Sequence, residues 1–176
     1  QCTDLNVNNV TKNIYPYYYK PKHFVKLGRK KIERLIKKIG IFRIKARSIY
    51  LMSKQLLDNH NGKVPKTFEE LERLPGVGHK TASVVMSQGF GYPAFAVDTH
   101  IHRLAQRWGL TNGKNVIQTE KDLKRIFPKN TWSKLHLQII YYGREYCKAR
   151  DCYGMSCKIC TTCYPNRKIP FIAKKP

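Results

Sequence analysis

The chain has 176 residues, enough for one substantial domain or two small ones. Thirty-four Lys and Arg residues stand against eleven Asp and Glu residues, which gives a formal net charge of +23. A charge of this size favours a polyanionic partner, with nucleic acid first and an anionic membrane surface second. The sequence contains no apolar run of membrane-spanning length and no signal-peptide pattern, so we expect neither membrane insertion nor secretion.

Helical periodicity dominates the first part of the chain. Residues 30–39 carry an apolar stripe opposite a basic face, and the pattern stops at Gly40. Residues 44–59 continue with the same period. Thr67 is a predicted N-cap for a short helix over residues 68–74, because its hydroxyl can accept a hydrogen bond from a free amide of the first turn.

Three more helices are predicted further along the chain. One covers residues 98–108, with Asp98 or Thr99 as its cap. Apolar spacing marks another helix around residues 123–127 and a last long one around residues 135–143. Sustained period-two alternation is absent from the sequence, so we predict an all-α fold.

Residues 74–82 read Leu-Pro-Gly-Val-Gly-His-Lys-Thr-Ala and predict two helices joined by a glycine-rich hairpin. Pro75 ends the first helix by removing a backbone donor. Gly76 and Gly78 allow a tight turn, and their bare amides can approach an anion beside the positive start of the next helix. The hairpin therefore predicts a phosphate-binding backbone, although turns of this kind are also common as purely structural features.

A second motif follows this hairpin. Residues 97–103 read Val-Asp-Thr-His-Ile-His-Arg, and Lys80 belongs to the first motif, on the second hairpin helix. With both motifs present in this order, the sequence resembles the helix-hairpin-helix DNA glycosylase superfamily and, within it, the endonuclease III family. The resemblance runs from Gln1 to a cysteine cluster near the C-terminus.

The resemblance implies a helix-hairpin-helix glycosylase fold with two domains. A helical barrel domain is expected over residues 1–97, and a smaller helical domain over residues 98–163 that ends in an iron–sulfur cluster loop. Residues 164–176 form a basic tail that we expect to be loosely held. Because the chain starts at Gln1, and by resemblance lacks the N-terminal helices of the family, we expect a fragment or a processed product.

The resemblance makes Lys80 and Asp98 the expected catalytic pair. A neutral lysine amine attacks C1′ of a damaged nucleotide, expels the base and forms a Schiff base; β-elimination then cuts the strand on the 3′ side. The carboxylate stabilises positive charge on the sugar and helps to take the lysine proton. Without the motif, Lys80 would read as a solvated surface charge and Asp98 as a helix cap.

The resemblance also implies DNA contacts along the hairpin and beside Asp98. These residues are Gln1, Leu74, Gly76, Val77, Gly78, His79, Thr99 and His100. In the family the glutamine that matches Gln1 fills the gap left by an extruded nucleotide. The expected partner is double-stranded DNA with a damaged base or an abasic site, bound by a monomer. The expected location is the bacterial cytoplasm at the nucleoid, or a nucleus or DNA-containing organelle in a eukaryote.

Five of the six cysteines lie within one short stretch: Cys147, Cys152, Cys157, Cys160 and Cys163. Such a density in a chain without secretory features favours a metal site over disulfides. Spacing alone is compatible with zinc and with an iron–sulfur cluster.

The resemblance favours a four-iron, four-sulfur cluster at this stretch. The family spacing is Cys-x6-Cys-x2-Cys-x5-Cys, but here position 154 is Gly. The preferred ligand set is Cys147, Cys157, Cys160 and Cys163, because a Cys-x2-Cys pair reaches one metal site with little strain. The alternative takes Cys152 as the second ligand and Cys157 as the third.

These features predict a base excision repair DNA glycosylase with AP lyase activity that acts on oxidised pyrimidines. An adenine glycosylase of the same superfamily shares the cluster but typically lacks the lysine, and an 8-oxoguanine glycosylase has the lysine but usually no cysteine cluster. A non-catalytic helix-hairpin-helix DNA-binding module, or an inactive remnant, is the alternative from a different class.

Overall fold

The computed structural model describes residues 2–175, so the predicted DNA contact at Gln1 lies outside the described residues. Every regular element in this range is helical, which confirms the predicted all-α class. The α-helices are α1 Asp4–Thr11, α2 Pro21–Leu35, α3 Phe42–His60, α4 Phe68–Glu72, α5 His79–Val84, α6 Thr99–Arg107, α7 Val116–Ile126, α8 Trp132–Glu145 and α9 Lys158–Cys163. A π-helical segment, Val85–Gly89, continues α5, and a 3₁₀ turn, Lys129–Thr131, precedes α8.

The chain divides into two compact units, Gln1–Gly78 and His79–Pro176. The predicted domain division at residue 97 does not coincide with the boundary between these units, and it stays a prediction. Each unit has its own buried apolar cluster and is described separately below. Among the described residues, no helix combines the length and the apolar character needed to cross a membrane.

The core of the first unit forms where α2 packs on α3. Gly28 adopts φ 72° and ψ 158°, so α2 is kinked there. The helix predicted over residues 30–39 is too long, because α2 ends at Leu35 and Ile36 has the non-helical angles φ −103° and ψ 16°. Ile36 and Ile39 are nevertheless buried in the core. The turn after α2 keeps these two side chains inside, which explains why the apolar spacing continued past the helix end.

The second unit is built around α6, most of whose residues are buried. Asp98 caps this helix by accepting a hydrogen bond from the amide of Ile101 at 2.8 Å, as one of the two predicted caps. The core around α6 contains Phe95, Ile101, Leu104, Leu123 and Ile139 and extends to four buried cysteines.

The C-terminal segment is tethered, so the prediction of a loosely held tail is wrong. The amide of Phe171 donates to the carbonyl of Tyr153 at 2.8 Å, and the amide of Lys174 donates to the side chain of Gln106 at 2.8 Å. The basic composition of the tail suggested a free end, but these long-range hydrogen bonds hold its backbone.

Candidate active site and thiol cluster

The hairpin of the first unit begins at the predicted cap. Thr67 accepts a hydrogen bond from the amide of Glu70 at 3.3 Å, and α4 ends at Glu72, slightly before the predicted end. The side chain of Leu74 is buried, so only its backbone is available for a DNA contact. The amide of Val77 donates to the carbonyl of Leu74 at 3.0 Å and closes the turn.

The two hairpin glycines serve different purposes. Gly76 has φ 82°, and a Cβ on it would lie 2.7 Å from Cβ of Ser48 on α3. This position therefore needs glycine both for its backbone angle and for its close packing. Gly78 has no left-handed angle, and a Cβ there would meet nothing within 4 Å. Glycine at 78 instead leaves an exposed amide without a side chain over it.

Lys80 and Asp98 come together in the second unit. Nζ of Lys80 lies 3.9 Å from Oδ2 of Asp98, while Oδ1 of the same carboxylate accepts the capping hydrogen bond. The Lys80 side chain is 54% exposed and that of Asp98 only 11%. Capping fixes the carboxylate on a helix end, and the exposed amine faces it from α5. The two roles considered for Asp98 therefore use different oxygens.

Two histidines lie near this pair. Burial, together with the charges of Arg103, Arg144 and Lys80, lowers the pKa of His100 from its ordinary value, although Asp98 acts in the opposite direction. The ring is therefore neutral at neutral pH, and its Nδ1 lies 3.4 Å from the guanidinium of Arg103. With Nδ1 accepting from that guanidinium, the ring proton is on Nε2.

The second histidine, His136 on α8, was not identified from the sequence. Its Nδ1 donates to the carbonyl of Ala96 at 2.6 Å. Burial is the largest influence and lowers the pKa of His136, and the ring also senses the charges of Asp98 and Lys80. Nothing in the local sequence distinguishes His136, because it joins the site through a contact between α8 and the distant segment that precedes α6. It packs against the segment that leads into Asp98.

His79 is held by α7. Its Nε2 lies 3.0 Å from a carboxylate oxygen of Glu120, and Lys124 approaches the other oxygen of that carboxylate. The ring remains half exposed. This contact fixes the first residue of α5 and leaves the ring accessible.

The cysteine stretch forms a compact cluster of four thiols. They belong to Cys147, Cys152, Cys157 and Cys160, and all four Sγ atoms lie within 4.8 Å of one another. All four residues are buried. Four thiolates around one point can bind a single tetrahedral metal ion or, with one thiolate on each iron, a four-iron cluster.

The structure groups Cys152, and not Cys163, with the other three thiols, so the group differs from the preferred ligand set by one residue and includes the alternate ligand Cys152. Cys163 ends α9 and is exposed, while Cys160 on the same helix faces inward. Gly154 stands where the family spacing has a cysteine. It has φ 76°, and a Cβ there would lie 2.1 Å from a guanidinium nitrogen of Arg167. A cysteine cannot occupy that position without displacing Arg167, and Cys152 supplies the thiol instead.

Arg107 is the buried counter-charge of this cluster. Its side chain belongs to α6, and the residue is only 1% exposed. The guanidinium donates to Sγ of Cys147 at 3.3 Å and to the carbonyls of Lys148 and Ala149 at 2.8 and 2.9 Å. Within residues 2–175, no carboxylate pairs with it. A buried guanidinium directed at a sulfur fits an anionic metal–thiolate centre, because four thiolates outweigh a divalent charge.

Hydrogen bonds and burial give the thiols different pKa values. Burial opposes ionisation of Cys152, but the amides of Ser156 and Cys157 outweigh it and lower its pKa to about 5. Burial raises the pKa of Cys147 to about 11. Thiolates crowded at this distance repel one another, so a cation is needed before all four can ionise together.

Arg103 connects the helix of Asp98 to the cluster. Its guanidinium donates to the carbonyl of Gly143 at 3.1 Å and to the carbonyl of Cys147 at 3.0 Å. Arg103 and Arg107 are one helical turn apart on α6, so one face of that helix binds the chain around Cys147. The signal in the sequence is this pair of arginines four residues apart on a predicted helix.

Comparison with known proteins fits this geometry. Residues 1–129 match the HhH-GPD superfamily base excision DNA repair protein family. The chain belongs to this family. It is also 41% identical over 169 residues to endonuclease III of Bacillus subtilis, covering 96% of this chain and 77% of that relative. Endonuclease III of Escherichia coli K12 is 40% identical over 169 residues, with 96% of this chain and 80% of the relative covered.

Solved structures of endonuclease III have the same fold. A trapped endonuclease III–DNA covalent intermediate, the estranged-adenine complex, matches with a TM-score of 0.86 and 43% identity over 90% of this chain and 75% of that chain. A non-covalent endonuclease III–DNA complex matches equally well. The predicted family and enzyme class are thereby confirmed: this member of the HhH-GPD superfamily is a base excision repair DNA glycosylase of the glycosylase and AP lyase class.

Proposed function

We propose that the chain removes oxidised pyrimidines from double-stranded DNA and cuts the resulting abasic strand through a lysine Schiff base. The observation that carries this proposal is the 3.9 Å approach of Nζ of Lys80 to Oδ2 of Asp98 on a capped helix end. The adenine-specific alternative lacks support, since an amine nucleophile stands at position 80. The substrate class rests on likeness to endonuclease III.

In this mechanism Lys80 is the nucleophile, and Asp98 stabilises positive charge and accepts a proton. The neutral amine forms a bond to C1′ as the glycosidic bond breaks and the base departs with the electron pair. The carboxylate stabilises positive charge on the sugar and accepts the lysine proton. The C1′–O4′ bond then breaks, with O4′ taking up a proton, and the ring-opened sugar is a Schiff base. The Schiff base acidifies the 2′ proton, and loss of that proton expels the 3′ phosphate by β-elimination. The exposure of Lys80 leaves room for a sugar beside it.

The hairpin and the start of α6 are proposed to hold the DNA backbone. The exposed amide at Gly78 suits a phosphate oxygen, and His79 and Thr99 are exposed beside the catalytic residues in sequence. Neutral His100, with its proton on Nε2, can donate a hydrogen bond to phosphate. Leu74 contributes through its backbone alone.

Trapping with borohydride tests this function. The wild-type protein is incubated with duplex DNA that contains an abasic site or thymine glycol, and borohydride is then added. We expect a covalent protein–DNA adduct, because borohydride reduces the Schiff base to a stable amine. Tight DNA binding without any adduct would instead favour the non-catalytic module.

The thiol cluster is proposed to hold a four-iron, four-sulfur cluster on Cys147, Cys152, Cys157 and Cys160. Likeness to endonuclease III and the four buried thiols support this assignment. When bound, the cluster cross-links the loop that follows α8. Zinc is the second candidate: two sulfur pairs lie 3.8 and 4.0 Å apart, close to the roughly 3.8 Å expected around a tetrahedral zinc ion.

A pair of cysteine substitutions tests whether Cys152, and not Cys163, belongs to the proposed ligand set. Cys152→Ser is expected to lose most of the bound metal, because it removes one of four converging sulfurs. Cys163→Ser is expected to keep the metal, since Cys163 is exposed outside the group. Metal analysis and the visible absorption of protein purified anaerobically measure both. Metal loss in the Cys163 variant alone would contradict the set, and zinc without iron in the wild type would overturn the iron–sulfur assignment.

Arg107→Met tests the counter-charge. Methionine fills a similar volume without charge, so the metal centre should bind roughly ten- to a hundredfold more weakly. The measurement is the rate at which a chelator bleaches the absorption of the centre. Arg150→Met is the matched control, because Arg150 is exposed in the same loop. Equal bleaching rates for the wild type and the Arg107 variant would contradict this role.

A further inference from the structure

The C-terminal segment Tyr164–Lys175, here named the strap, is tied to α6 through its backbone. Gln106 accepts a hydrogen bond from the amide of Lys174 at 2.8 Å and donates to the carbonyl of the same residue at 3.1 Å. The amide of Phe171 donates to the carbonyl of Tyr153 at 2.8 Å. These contacts use no charged side chain, so the strap is positioned independently of its lysines.

Arg167 anchors the middle of the strap. Its guanidinium donates to the carbonyls of Gly154 and Arg107, each at 3.0 Å. It also stacks 4.1 Å from the ring centroid of Tyr164. Position 154, where the family spacing has a cysteine, is a glycine, and the guanidinium of Arg167 lies against it. The cluster loop is therefore shaped to accept the strap, and the strap is a built element of this unit.

The end of the strap lies alongside α6. A cavity of about 480 Å³ is lined by Thr99, Arg103 and Tyr153 together with strap residues 172–175. Thr99 directly follows Asp98 in the sequence. The strap thus holds Lys174 beside Gln106, near the carboxyl end of α6, and its last residues line a cavity that also reaches Thr99 at the amino end of that helix.

The two terminal lysines of the strap remain exposed. Lys174 has one hydrogen bond to a backbone carbonyl, that of Asn112 at 3.5 Å. Across the described part of the chain, neither Lys174 nor Lys175 forms an ion pair with a carboxylate. Two exposed cations that line the same cavity as Thr99 and Arg103 form a surface suited to a phosphodiester backbone.

We propose that the strap is part of the DNA-binding surface and that Lys174 and Lys175 bind backbone phosphates of the duplex that also meets Lys80 and Asp98. This inference rests on the proposed function, because it takes damaged duplex DNA as the partner. The strap adds fixed positive charge without any base contact. It therefore strengthens binding regardless of sequence.

The tether and the charge can be removed separately. Lys174→Gln with Lys175→Gln removes both charges and keeps the backbone hydrogen bonds to Gln106. Gln106→Met removes the tether and keeps the charges. Lys168→Gln is the matched control, since Lys168 is an exposed strap lysine that does not line the cavity. Affinity for duplex DNA with a tetrahydrofuran abasic analogue is measured from low to high salt.

The double lysine variant should bind roughly tenfold more weakly near 0.1 M salt, and its log–log salt slope should fall by about two. Gln106→Met should lose about threefold in affinity with little change in slope, because the strap must then become ordered on binding. The control should resemble the wild type.

Unchanged affinity and slope in the double lysine variant would overturn the inference. A lowered melting temperature with unchanged DNA binding would also overturn it, and would give the strap a purely structural role. These outcomes are independent of the borohydride adduct. A wild type that forms no adduct refutes the proposed function, whereas an adduct with an insensitive strap refutes only this inference.

Discussion

Lys80→Ala is expected to abolish the borohydride-trapped adduct and to reduce strand cleavage at an abasic site by at least about a thousandfold. Alanine has no amine to attack C1′, and the Asp98 carboxylate 3.9 Å away cannot replace it as a Schiff-base partner. Binding to abasic DNA should weaken only modestly, because a single exposed cation is lost. Gel analysis of the trapped adduct and single-turnover cleavage measure the two effects.

Lys121→Ala serves as the control for this variant. Lys121 is an exposed lysine of α7 in the same unit, so its loss removes one charge without touching the pair. The control should form the adduct at the wild-type rate. An adduct that persists in Lys80→Ala would assign the nucleophile to another amine. Loss of the adduct in both variants would show that adduct formation depends on positive charge in this unit and not on the amine of Lys80 in particular.

The helix starts at Thr67 and Asp98 were predictable from the sequence because their signals are local. Thr67 and Asp98 each cap a helix by accepting from an amide three residues later. Such a contact depends only on the few residues around it. The hairpin glycines were predicted for the same reason, although only Gly76 uses a left-handed angle.

The cysteine set could not be predicted from spacing, because it depends on distant contacts. The spacing favoured Cys163 over Cys152 as the fourth ligand beside Cys147, Cys157 and Cys160. In the fold Cys163 is exposed, whereas Cys152 is buried with the other three thiols. These contacts link residues far apart in the chain, which no local pattern encodes.

The strap is a second feature that depends on distant contacts. Here the sequence predicted a loosely held tail, and the structure has a tethered segment. Its composition, rich in Lys and Pro, resembles that of a free tail. What holds it is a pair of hydrogen bonds between Gln106 and the backbone of Lys174, together with the guanidinium of Arg167. Backbone tethers leave no trace in composition, so a tail and a strap of the same sequence can be told apart only in three dimensions.

Asp98→Asn is expected to slow release of a damaged base by roughly a hundred- to ten-thousandfold while DNA binding changes little. Asparagine caps a helix about as well as aspartate, so α6 should keep its start and the melting temperature should hold. What is lost is the negative charge facing Lys80. Single-turnover release from thymine glycol DNA, with a parallel binding titration, measures the effect.

Asp98→Ala separates the cap from the charge. It removes both, so it should match the asparagine variant in base release and also lose about 1 kcal/mol of stability. An abasic substrate divides the steps further, because it has no base to expel. On this substrate both variants should form the adduct with a smaller defect than on DNA that carries a damaged base. The defect that remains measures the contribution of Asp98 to proton transfer from Lys80. Base release at the wild-type rate in Asp98→Asn would leave this carboxylate as a helix cap alone, and the charge on the sugar would need another partner.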